Sequence, residues 1–228
     1  QTFATLDLDG TISRSAGTSA LTITGTSDIG GSVTTSGTQT YTGVTTLTGN
    51  TTLATSSAQV TISNIINSEG SETNNLTVTA SETEFNGIIG GTRTLGVMDI
   101  NGTLDLNAAI TNATSIDVSG TSNLGANVTT TGTQTYTGAV TLSTDVTLAT
   151  TNSNVTFSST VDSDSTSPKR DLTLTLGSGA ATFSGIVGAT SLADMSLNSS
   201  ATFNAAVTAD NLTLAANKTA TVKDDVTI

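Results

Sequence analysis

One repeated string limits what this chain can fold into more than any other feature. GTQTYTG at positions 37–43, followed by Leu47 and by TLAT at 52–55, returns 95 residues later as GTQTYTG at 132–138, Leu142 and TLAT at 147–150. Self-similarity at a fixed period is the mark of repeat architectures, so the fold is read from the repeat before any local propensity is weighed. The match continues beyond the string. Phe85, Gly87, Ile88 and Gly90 correspond to Phe183, Gly185, Ile186 and Gly188, and Asn107, Ala108, Ala109 and Thr111 to Asn204, Ala205, Ala206 and Thr208. The offset drifts between the two groups, as expected when corners gain or lose a residue.

Within the repeat, short triplets of apolar, polar, apolar residues recur: Leu6 to Leu8, Leu21 to Ile23, Val60 to Ile62, Leu76 to Val78, Met98 to Ile100, Leu172 to Leu174 and others. Period-two alternation bounded by Gly, Asn, Asp and Ser predicts half-buried strands, and no stretch carries a helical period. Thr is too abundant, and Ala and Glu too dispersed, for a long helix to form on propensity. Spacings of about 15–23 residues between triplets fit one turn of a β-solenoid, so the 95-residue unit holds about five coils. The expected organisation is one elongated domain: a partial repeat over 1–30, one copy over about 31–125, a second over about 126–220, and a further rung at 221–228. LDLDGTI at 6–12, similar to MDINGTL at 98–104, puts the first residues in the same pattern.

Composition narrows the function. The chain has 228 residues, 35% of them hydrophobic and only 11% charged, against a usual charged share of about 25%. Hydroxyls and amides make up its surface instead. The net charge is −12 and the six basic residues are scattered, so nothing provides the basic footprint that phosphate backbones need. No apolar run approaches the ~20 residues of a membrane-spanning helix. Nucleic acid and membrane insertion are therefore not expected. With no Cys and no His, disulfides, thiolate sites and the commonest general base are excluded.

Several residues bear on binding. The segments Asn64 to Asn75, with Glu69 and Glu72, and Ser159 to Asp171, with Asp162, Asp164, Lys169, Arg170 and the only proline, break the rhythm at the same place in each copy. They are read as loops leaving one face of the wall, where a receptor or glycan could bind. The terminal segments read as ordinary rungs with no polar cap, which marks Phe3, Leu6, Leu8, Val226 and Ile228 as residues for head-to-tail stacking or for continuation into a longer chain. In GTQTYTG, alternation puts Thr38, Thr40 and Thr42 on one side and Gln39 and Tyr41 on the other. A flat Thr row suits ice, but it must recur on successive coils, and the two copies lie about five coils, or roughly 24 Å, apart. Asp7, Asp9 and Gly10, or Asp224 with Asp225, suggest at most weak calcium binding, since the other EF-hand ligands are missing. No cofactor and no enzymatic activity are expected. Acids presented by neighbouring coils leave a polysaccharide-degrading β-helix as a lesser alternative. The five Phe are expected to stack in the core, and inward Asn at corners to form side-chain ladders.

Thr/Gly/Asn-rich rungs, LTL-type triplets, the GTQTYTG echo, no Cys and almost no Pro resemble the repeat regions of large bacterial surface proteins, namely filamentous haemagglutinin-like exoproteins and autotransporter passengers. The resemblance covers the whole chain and is one of composition and period. It implies a right-handed parallel β-helix, for which the spacing of the triplets predicts about eleven or twelve coils and a length of some 55 Å at ~4.8 Å per rung. It also implies an extracellular or cell-surface location and a role as a stalk, filament or matrix segment, or as an adhesin.

Overall fold

The computed structural model describes residues 1–14, 17 and 19–228, and every regular element among them is a β-strand. All strand pairings are parallel, and the chain winds as a solenoid of about 11 turns. The triplets named above all lie in strands. Each coil contributes one rung to each of three faces. On the first face, Thr2–Phe3, Leu21–Ile23, Gln39–Tyr41 and Gln59–Ile62 stack in register, and the series runs on through Phe85, Leu106, Leu124, Leu142 and Ser163. The second face starts at Leu6–Leu8 and passes through Thr45–Leu47, Ile66–Ser68, Ile89 and Ile110 to Val146–Thr150 and Leu172–Thr175. The third runs from Thr11–Arg14 through Thr51–Thr55, Val78, Ile100 and Val118 to Gln134–Tyr136, Val155–Phe157, Ala180–Phe183, Ser200–Phe203 and Ala220–Val222. Long strands such as Leu76–Phe85 and Leu95–Leu106 run through corners and join the faces.

Alternation explains the interior. In rung after rung the outer two residues of a triplet are buried and the middle one faces out, as in Leu21–Ile23, Val140–Leu142 and Val155–Phe157. Because every coil presents its apolar side chains at the same height, one continuous core fills the tube. On the third face the stack becomes aromatic: Tyr136, Phe157, Phe183 and Phe203 lie with ring centroids 5.4, 4.8 and 4.7 Å apart. Phe85 is buried on the first face, whereas Phe3, expected in the core, is 43% exposed on the terminal rung.

The two copies of the repeat are not superimposed along the axis. Tyr41 sits on the first face, between Ile23 and Ile62, while Tyr136 sits on the third, between Val118 and Phe157. The TLAT segments are turned likewise, from the third face to the second. The 95-residue unit thus spans four coils and two faces, and the second copy is turned by one face relative to the first, where five whole coils and equivalent rungs were expected. The cause is the variable coil length: Leu124 and Leu142 are in-register partners 18 residues apart, whereas Val161 and Val187 are 26 apart. A rung needs only the in–out alternation, so the same string fits any of the three faces.

Local environments survive the turn. Gln39 is fully buried, and its Nε2 donates to Val33 O (3.0 Å), Thr35 Oγ1 (3.2 Å) and Ala54 O (2.8 Å), while the Tyr41 hydroxyl donates to its Oε1 (2.9 Å). Gln134 repeats the set with Val128 O, Thr130 Oγ1, Ala149 O and the Tyr136 hydroxyl. One amide thereby ties the backbones of two successive coils at a corner and satisfies the only polar atom of a buried ring. The glycine closing the string is set by contact: a Cβ at Gly43 would lie 2.2 Å from Gly25 O, and one at Gly138 2.3 Å from Gly120 O. Coils meet backbone to backbone there, and a side chain has no room.

Candidate interaction loops and surface rows

Both irregular segments turn out to be part wall and part loop. Ile66–Ser68 and Val161–Ser163 are buried or half-buried rungs, so the loops proper are 69–75 and 164–171. They do not leave one face, as the repeat suggested. The first lies at the corner between the second and third faces, the second between the first and second, because the second copy is turned by one face.

Their chemistry also differs. In the second loop both cations are paired, one within the loop and one to a later coil. Arg170 binds Asp164 through Nε (2.7 Å) and its second nitrogen (3.1 Å), and Lys169 pairs with Asp210. The Arg170 guanidinium, chiefly by hydrogen bonding, holds the exposed Asp164 carboxyl below the usual carboxylate range. Asp162 belongs to the rung, where its Oδ1 accepts Thr190 N (3.0 Å). Its counterpart in the first copy, Asn67, accepts Thr92 N (3.1 Å) and Arg93 N (3.2 Å). Each of these side chains pins the corner of the following coil. The first loop stays open: Gly70 to Thr73, with Thr92, Arg93 and Thr94 of the next coil, line a cleft of about 210 Å³. Glu72 reaches Asn74 Nδ2 (3.3 Å), and Glu69 contributes backbone contacts to Leu47 and Glu72. Arg93, which the sequence reading passed over, is the cation of this cleft.

Corner Asn do link coils, but they are exposed and bond to backbone, where inward side-chain ladders were expected. Asn50 Oδ1 accepts Asn75 N, and Asn75 Oδ1 accepts Val97 N. In the second copy carboxylates do the same work: Asp145 takes Asp171 N (3.1 Å) and Asp171 takes Asp194 N (2.9 Å). These acids are strung along the axis, and among the described residues no group of three or more carboxylates gathers as a cation site. Acids do stand side by side on neighbouring coils, as Asp7 with Asp28, Glu84 with Asp105 and Asp99 with Asp117. Asp224, offered for calcium, accepts Asp225 N.

The terminal residues are partly open. Phe3, Val226 and Ile228 are 43, 44 and 63% exposed, and Leu6 and Leu8 are half-buried against the core. Among the described residues no helix is long and apolar enough to cross a membrane.

The outward rows overturn the expectation that Thr does not recur on successive coils. Thr2, Thr22, Thr40 and Thr61 are in-register partners on the first face. On the third face Thr135, Thr156, Thr182, Thr202 and Thr221 form an unbroken row over five coils. Successive members are 21, 26, 20 and 19 residues apart, so no fixed period reveals them.

No protein-family model matches the chain, and neither a curated protein nor a solved structure is found to be similar to it.

Proposed function

We propose that the chain is a stiff structural segment, a length of stalk or filament, of a bacterial surface or extracellular protein. The observation that carries this reading is the coil-to-coil continuity of the tube. Three hydrogen-bonded faces and one apolar core join each coil to the next, with glutamine clamps and corner ladders added at some of the joints. Extracellular placement rests on the compositional resemblance to bacterial surface repeats. The sharper form of the proposal is end-to-end association of copies through the terminal rungs, whose partly exposed Phe3, Val226 and Ile228 would be covered equally by further coils of a longer chain. Electron microscopy of the purified protein at high concentration tests the association. Rods in multiples of about 55 Å, at ~4.8 Å per rung, are the expected result. Monodisperse single solenoids would refute it.

A second reading, an adhesin with the solenoid as spacer, is favoured by the cleft beside Arg93 and not by the loop at 164–171, whose two cations are already paired. Replacing residues 70–73 by a short turn separates the two readings. Loss of binding to a glycan array with assembly intact supports the adhesin, and binding unchanged from the parent removes it.

A further inference from the structure

We infer that the third face of coils seven to eleven is an ice-binding surface, a binding activity separate from the structural role. Three observations converge on it. First, the five Thr of the row repeat at the rung spacing of ~4.8 Å, about 19 Å end to end. Thr is stiff at χ1, which restricts the orientations each hydroxyl and methyl can take. Among the described residues none of the five hydroxyls has a protein hydrogen-bond partner, which leaves them to water.

Second, the row is backed by an ordered stack of rings. Directly beneath the row, Tyr136, Phe157, Phe183 and Phe203 stack with interplanar angles of 13, 12 and 7°. Ordinary sheets turn by ~20–25° from strand to strand, which would fan both the rings and the Thr above them. The near-parallel rings show that such fanning is small on the buried side of the row.

Third, the face is free of charge in a chain of net charge −12. Its rungs read TQTYT at 133–137, NVTFS at 154–158, AATFS at 180–184, SATFN at 200–204 and TATVK at 219–223, and Lys223 at the far margin is the only ionised side chain. The row continues toward the N-terminus as Thr77, Thr52, Ser32 and Thr11, but Asp99 and Asp117 interrupt it, which confines the uncharged stretch to the later coils. An array of hydroxyls and methyls without charge does not select phosphate, a lipid headgroup or an acidic protein. It also lacks the exposed aromatic rings on which sugars stack, since both Tyr and the Phe of this face are buried. The partner left is one that is itself flat, periodic, neutral and hydrogen-bonded, an ordered layer of water at an ice surface.

The test uses fluorescently labelled protein during growth of an ice hemisphere, together with thermal hysteresis. The parent protein should enter the ice and show hysteresis. Thr182→Lys, in the middle of the row, should be excluded from ice and lose the hysteresis. Thr141→Lys, on the first face one coil earlier, should behave as the parent, and melting curves establish that both variants are folded. Exclusion of the parent from ice overturns the proposal, including the case in which it binds crystalline cellulose or chitin instead. So does retention of ice binding by folded Thr182→Lys, or equal loss in Thr141→Lys.

Discussion

At Gln39 and Gln134 a single amide is hydrogen-bonded to two carbonyls on successive coils, to a Thr hydroxyl and to a Tyr hydroxyl. Replacing either Gln by Leu keeps most of the volume but strands buried polar atoms, each worth ~1–3 kcal/mol when left unpaired. Gln39→Leu and Gln134→Leu are expected to lower unfolding stability by about 2–3 kcal/mol each, and by similar amounts, because the two environments match; denaturant unfolding measures this. A recognition site in one copy alone would give unequal losses. The ring beside each amide supplies a pH dependence. Burial pushes the Tyr41 and Tyr136 phenols well above their ordinary value. A raised folded-state pKa favours folding below the unfolded pKa of ~10, and the advantage is lost as pH rises beyond it, at about 1.4 kcal/mol per Tyr per pH unit. Spectrophotometric titration should therefore show phenolate appearing together with loss of strand circular dichroism, with no separate earlier step. That Gln39 and Tyr41 share one side of the rung was readable from alternation alone. Their hydrogen bonds were not, since Ala54 and Ala149 reach them only through coil stacking.

At the scale of the rung, the sequence shows which residues point inward but not which rung lies above which. Triplets such as Leu172 to Leu174 declare themselves strands, whereas the partners of Thr156 lie 21 residues back and 26 forward because corner lengths vary. For the same reason the loops at 69–75 and 164–171 looked equivalent and prove to lie at different corners. Stacking gives the rungs of the third face a common dependence. Phe183 is fully buried between Phe157 and Phe203. Phe183→Ala is expected to cost about 3–5 kcal/mol in thermal or chemical unfolding, the range for removing a buried aromatic ring. If the inferred ice-binding face depends on this backing, the same variant should lose hysteresis even where it remains folded.

Over the whole molecule, the repeat is a unit of sequence that the fold places with a turn of one face, and the product is still one uninterrupted tube. The fold class could be read from period and alternation because both are local properties. The turn between copies could not, since it depends on the sum of corner lengths over nearly five coils. What makes the tube suitable as a scaffold is that, among the described residues, each coil is hydrogen-bonded through its backbone to the next. Residue-resolved amide hydrogen exchange under native conditions tests this most directly. Protection is expected to be continuous on all three faces from the second coil to the tenth, with fast exchange confined to the terminal rungs and to the loops at 69–75 and 164–171. A block of rapidly exchanging rungs between the two copies, dividing the chain into separately protected halves, would contradict the account of a single stiff solenoid.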